Sequence, residues 1–175
     1  MDRHKNLISY ETYGYNQNNQ KTKCFRYNAA NECTHTVTYE YDASGNLLAE
    51  TTYSADGIGM FRDHYQYDEQ NRMLSKTEDT LGGVQQEVVY TFTYSYDEQG
   101  RICREDIYAF DELYGYYLYE YDGALPVRKE HYFVEDSEDR YLSGTEYQYD
   151  DSGRLIKEIY DEDHICTGYK TIEYQ

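Results

Sequence analysis

One short pattern recurs through most of this chain, and the recurrence leaves few folds open to it. "YEYD" at Tyr39 returns as "YQYD" at Tyr65, "YSYD" at Tyr94, "YEYD" at Tyr119 and "YQYD" at Tyr147; "YGYN" at Tyr13 precedes them and "IEYQ" at Ile172 follows. The starts lie 26, 26, 29, 25, 28 and 25 residues apart, giving six units and a closing strand near Ile172. Within a unit the side chains alternate with period two, which is the pattern of a β-strand. Val37, Tyr39 and Tyr41 point one way, and Thr38, Glu40 and Asp42 point the other. The same split places Phe92, Tyr94 and Tyr96, and Tyr117, Tyr119 and Tyr121, on a tyrosine face opposite a mostly polar one.

A turn follows each strand. Three residues beyond the aspartate, or beyond its counterpart Asn16, stand Asn19, Gly45, Asn71, Gly100, Leu125 and Gly153. Glycine and asparagine accept positive φ cheaply, as a tight hairpin requires, and the aspartate can accept bonds from the turn's own amides. Leu125 breaks the rule, and Gly123 with Pro126 marks a differently built turn. The chain then re-enters a strand at Leu47, Met73, Ile102, Val127 or Leu155, with Lys21 the exception in the first unit. Each unit is thus a hairpin, joined to the next by a second, looser turn. The expected fold is all-β: an antiparallel meander of about 12–13 strands in one domain over residues 1–175, curled into an open spiral sheet or closed like a barrel. An open sheet leaves its edge strands available for homodimer formation.

Such a chain needs an interior, and aliphatic residues supply little of it. Leu, Ile, Val, Met and Phe total 32 of 175 residues beside a net charge of −18, which alone would point to disorder. The 25 tyrosines reverse that reading. Each buries a large ring while its hydroxyl demands a partner or water, so the core is expected to be thin and close to solvent. No apolar stretch is long enough for a membrane span, and "MDRHKNLISYE" lacks the hydrophobic segment of a signal peptide, so the default location is cytoplasmic. Cys24, Cys33, Cys103 and Cys166 are too scattered for a CxxC metal site and read as reduced thiols; Cys24 and Cys33 are the one pair that could face each other across a turn.

The segments "YDASGNL", "YDEQNRM", "YDEQGRI" and "YDDSGRL" resemble the YD repeat of Rhs proteins, in which a YD dipeptide is followed by two free residues, a glycine, an arginine or asparagine, and an aliphatic residue. The resemblance runs from Tyr13 to Gln175. It implies hairpins stacked into a long curling sheet, which in large toxins of that family winds into a shell around a toxic domain. Here the spacing is longer than the family's common one, six units are too few to enclose a protein, and neither a toxin-like segment nor an autoproteolytic core follows the last repeat. The expectation is a small free-standing relative, of bacterial character by resemblance.

Alternate turns of a meander lie at opposite ends of the sheet. At the YD end the acids are partly balanced by Arg72, Arg101 and Arg154. The inter-repeat end carries Asp56, Asp79, Asp111, Glu112, Glu135, Asp136, Glu138, Asp139, Asp161, Glu162 and Asp163, with Arg140 alone among them. A rim of this kind either keeps a tyrosine-rich sheet soluble or docks a basic protein, for instance a toxin, whereas it repels nucleic acid. "EDSED" and "DED" lack EF-hand spacing, so calcium is the weaker use of these acids. His4, His35, His64, His131 and His164 share no repeat position and form no ligand pair, and no nucleophile elbow, Walker loop or dinucleotide fingerprint occurs. No cofactor is expected, and the chain reads as a non-enzyme. The leading expectation is an acidic binding protein of immunity or antitoxin type that masks a basic toxin or nuclease. The alternatives are a carbohydrate-binding or structural repeat module using the tyrosine face, and an encapsulation fragment of a larger Rhs toxin.

Overall fold

The computed structural model describes residues 8–82, 89–136 and 138–174. It is all-β, without a helix among the described residues. Thirteen strands follow one another in a linear meander: β1 (Ser9–Tyr15), β2 (Lys21–Asn28), β3 (Cys33–Tyr41), β4 (Leu47–Ser54), β5 (Gly59–Tyr67), β6 (Met73–Thr80), β7 (Tyr90–Tyr96), β8 (Ile102–Ala109), β9 (Glu112–Asp122), β10 (Leu125–Glu135), β11 (Glu138–Tyr149), β12 (Leu155–Glu162) and β13 (Ile165–Thr171). Among the described residues β1 pairs with β2 alone and β13 with β12 alone, so the order is that of an open sheet and no barrel closes. The closing strand runs up to Thr171 rather than starting near Ile172, whose amide still donates to Ile156 O at 2.9 Å. The chain divides into two compact units, Met1–Tyr90 and Thr91–Gln175.

The YD turns follow the residue chemistry. Asp68 Oδ1 accepts from the amides of Gln70 and Arg72, both at 2.9 Å, while Arg72 Nε donates to its Oδ2 at 2.7 Å. Asp97 with Arg101 and Asp150 with Arg154 repeat the arrangement. The position three residues on has positive φ at Asn19, Gly45, Asn71, Gly100 and Gly153, all five of the Gly and Asn positions expected. In the fifth unit Asp122 pairs directly with Leu125 and Gly123 takes the positive φ.

Four of the inter-repeat turns are not looser, while those between β6 and β7 and between β10 and β11 include residues outside the described ones. Asn28–Glu32 copies the YD turn, with Asn28 Oδ1 accepting from Ala30 and Glu32 amides at 3.0 Å and Asn31 at positive φ. Ser54–Ile58 has the same backbone bonds around Gly57. The β8–β9 and β12–β13 turns are tighter still, with two loop residues each, Phe110–Asp111 and Asp163–His164, all four at positive φ.

A recurrent bond ties four of the hairpins to the strand before them. The β4–β5 ladder stops at Ala49, so Leu47 O has no rung toward β5; the hydroxyl of Tyr67 donates to it instead, at 3.0 Å. Likewise Tyr121 donates to Ile102 O at 2.8 Å, Tyr149 to Pro126 O at 2.7 Å and Tyr174 to Leu155 O at 2.9 Å. In these three cases too the carbonyl lies two residues beyond the ladder's last pair, at Arg104, Arg128 and Lys157. At these four positions the second tyrosine of the pattern is thus a structural pin that satisfies a backbone acceptor the sheet leaves open. Arg101 and Arg154, which close the preceding turns, lie over the rings of Tyr121 and Tyr174, 4.4 and 5.0 Å from their centroids.

The core is thin. In the first unit the described buried side chains are Cys24, Val37, Ala49 and Thr51; in the second, Tyr116. Cys24 opposes Val37 on the tyrosine face. Ala49 and Thr51 occupy the other face, where Arg62 from β5 reaches across β4 to Glu40 on β3 at 3.3 Å. Long side chains lying flat over small ones close this face without aliphatic bulk. All four cysteines are free; Cys33 opposes Tyr27, out of register with Cys24, so the two do not face each other.

Candidate protein-interaction surface

The eleven acids of the inter-repeat end do not act alike. In the first unit Asp56 stands exposed in the β4–β5 turn, whereas Asp79, on β6, pairs with His64 Nε2 at 3.2 Å. The other nine belong to the second unit, at three successive hairpin tips: Asp111 and Glu112; Glu135, Asp136, Glu138 and Asp139; Asp161, Glu162 and Asp163. The meander carries all three tips to one end of that unit. Arg140 is the only lysine or arginine among the described tip residues, and His164 closes the third tip.

One of the nine is drawn into the sheet, and a second, though exposed, is bonded to it. Asp161 has 12% side-chain exposure, receives the hydroxyl of Tyr141 and lies 3.3 Å from Arg128 Nη2. Asp139 accepts the hydroxyl of Tyr116 at 2.9 Å. These tyrosines belong to a row on the face expected to be polar. Tyr116 stacks on Tyr132 at 4.9 Å, Tyr132 meets Tyr141 edge-on at 5.4 Å, and Tyr141 stacks on His164 at 3.7 Å, while the Arg104 guanidinium caps Tyr116 at 3.8 Å. Burial, and then the carboxylates that accept their protons, push the phenols of Tyr116, Tyr132 and Tyr141 above the ordinary tyrosine range. Gly144 makes the row's far end fit, since a Cβ there would lie 2.8 Å from both Arg128 Nη2 and Asp161 Oδ2. The row holds the β10–β11 and β12–β13 tips together and keeps their free carboxylates outward.

Two grooves open between the tips. One, of about 570 Å³, is lined by Tyr141 and His164, by the acids of the second tip with Arg140, and by Asp163. The other, of about 610 Å³, lies between the first two tips and has Leu113 and Val134 among Glu112, Asp136 and Asp139. Carboxylates line both beside apolar or aromatic side chains, which suits a cationic protein surface with an apolar centre.

The remaining candidates fall elsewhere. His35 bonds Thr34, His131 stacks on Tyr117, and His4 lies outside the described residues. Among the described residues no group of three or more His, Cys, Asp or Glu is arranged to hold a metal ion. On the tyrosine face of the second unit, a cavity of about 310 Å³ is framed by Tyr117, Lys129, His131, Ser143, Thr145 and Tyr147. It forms because Ser143 and Thr145 are small residues set between larger ones on β9, β10 and β11.

No family model matches the chain, and no match is found among curated proteins. Among solved structures the chain is similar to a chain in the crystal structure of TcdB2-TccC3-Cdc42, with 14% identity and a TM-score of 0.48 over 92% of this chain and 10% of that one. It is similar also to TcdB2-TccC3-TEV, at 14% identity and TM-score 0.46, covering 87% and 9%. A porin-like protein from Bacteroides uniformis matches at 11% identity and TM-score 0.39, covering 93% and 89%. This chain spans about a tenth of the length of the first two.

Proposed function

We propose that the chain is a non-catalytic, cytoplasmic hairpin-repeat protein of Rhs/YD-repeat type that binds a basic protein through the acidic end of its second unit. The reading rests on one observation: nine carboxylates gather on three adjacent tips, with a single arginine among the described residues there. Such a field speeds and orients encounter with a cationic surface. In its most concrete form the protein is immunity-like, occluding a basic toxin or nuclease. The triple variant Asp136→Asn/Glu138→Gln/Asp139→Asn should slow association with the partner and flatten its salt dependence. The partner is to be isolated by affinity capture at low and high salt; an on-rate unchanged in the variant removes the acids from the mechanism.

A second reading is favoured by the cavity on the tyrosine face, where two hydroxyl side chains, an imidazole and an ammonium meet aromatic rings. It is binding of a small polar ligand such as a carbohydrate. Selective glycan binding that survives high salt and is lost in Ser143→Leu would favour it over the first.

A further inference from the structure

Among the described residues, eight that are not glycine have positive φ. Seven are Asn19, Asn31, Asn71, Asp111, Asp136, Asp163 and His164, types that tolerate this backbone because a short polar side chain can bond locally. The eighth is Phe110, at φ 53°. A bulky aromatic in this region is an outlier. Phe110 and Asp111 are the two loop residues between the paired Ala109 and Glu112, a place where Asn-Gly is the favoured pair. Packing does not repay the strain, because Phe110 is 64% exposed. Local propensity and burial both argue against this residue here, and rules broken together in this way mark function.

Its surroundings say which function. Asp111 and Glu112 follow it directly, and Glu112 and Leu113 lead into the groove that holds Val134, Asp136 and Asp139. Tyr114, half exposed, stands edge-on to Phe133 at 4.9 Å. An exposed aromatic followed in the chain by two carboxylates, at a tip that also lends Leu113 to an apolar and acidic groove, has the layout of an interface hot spot within a charged rim. We infer that Phe110 is the apolar anchor of this surface, inserting into a hydrophobic pocket bordered by lysines and arginines on a folded protein. The inference rests on the basic-partner reading and adds the residue that holds the complex once charge has assembled it. A second copy of this chain would set −18 against −18, and nucleic acid or an anionic bilayer would meet the same carboxylates.

The test places photoreactive p-benzoylphenylalanine at position 110 of the full chain, identifies the cross-linked partner and its cross-linked residues, and then measures that purified partner against Phe110→Asn, Phe110→Gly and the acidic triple variant. Phe110→Asn and Phe110→Gly should raise the thermal midpoint by roughly 2–4 °C, since the strain is relieved. They should also weaken binding at least tenfold, chiefly through faster dissociation. The cross-link should fall on an apolar residue flanked by Lys or Arg. Affinity kept within twofold, a lowered thermal midpoint, a cross-link to a second copy, or no cross-linked protein overturns the inference. If the acidic triple variant slows association while Phe110→Asn leaves affinity unchanged, the anchor fails and the acidic surface stands. If neither variant has an effect, both fail.

Discussion

Removing a single oxygen tests the pin between hairpins. Tyr67→Phe, Tyr121→Phe and Tyr149→Phe keep the ring and delete only the hydroxyl that satisfies Leu47 O, Ile102 O and Pro126 O, at 3.0, 2.8 and 2.7 Å. The bonds are neutral and half-buried, and each carbonyl lies beyond the ladder with no rung to fall back on. A net bond of this kind contributes about 1 kcal/mol, and stranding the acceptor moves the loss toward the upper part of the 0.5–1.5 kcal/mol range. The expected cost is therefore ~1 kcal/mol per variant. Tyr174, which is 51% exposed, should lose clearly less, because water replaces the phenol at Leu155 O. Tyr67→Phe and Tyr149→Phe lie in different units, so the double variant should cost ~2 kcal/mol, additive to within ~0.5 kcal/mol. Urea denaturation followed by circular dichroism reads these losses as a lower midpoint at unchanged slope. If all three buried-pin variants stay within ~0.3 kcal/mol of the parent, or if Tyr174→Phe costs as much as they do, the hydroxyls are not the fastening.

Other outcomes follow from the same geometry. Tyr39 and Tyr65 have their phenols pushed up to about 12, first by burial and then by Glu50 and Asp63 respectively. Their folded values exceed the unfolded one near 10, so this contribution is complete below pH 10 and is lost as pH rises through about 12. The urea midpoint should fall across that interval, and less steeply in Tyr39→Phe/Tyr65→Phe. Gly100, at φ 78°, should cost ~1 kcal/mol as alanine, while Asn71→Gly at the equivalent turn position should change stability by less than ~0.5 kcal/mol, both read by thermal denaturation. Burial pushes the Cys24 thiol up, and Cys166 is exposed, so a thiol reagent should label Cys166 first and reach Cys24 only on unfolding, as followed by mass spectrometry.

The hairpin array is legible in the sequence because two local rules agree at nearly every unit. Alternation sets the strand, and Gly or Asn three residues past the aspartate sets the turn. "NAANE" at Asn28 follows the same rule, and its likeness to "NQNNQ" at Asn16 is the signal that this inter-repeat turn is tight. The second aromatic row was harder to read. Alternation counted back from "YEYD" puts Tyr117 on the tyrosine face and leaves Tyr116 on the polar one, where nothing local says that a ring will be buried. The missing information is register: Tyr132 meets Tyr116 on one side and Tyr141 on the other only after a bulge shifts β11 by one residue. The acidic tips are legible one by one, but the inward turn of Asp161 depends on Arg128, 33 residues away, and on the space left by Gly144.

The phenol pin also bears on how such an array can change its length. A hairpin of this kind contains its own turn and, at Tyr67, Tyr121, Tyr149 and Tyr174, the hydroxyl that fastens it to the strand before it, and the atom grasped is a backbone carbonyl, indifferent to side-chain identity. A duplicated stretch of 25 to 29 residues would therefore arrive with its fastening included and find an acceptor waiting. Copies are then free to diverge at their tips, where Phe110 and the acidic clusters stand, while the joints between them stay the same.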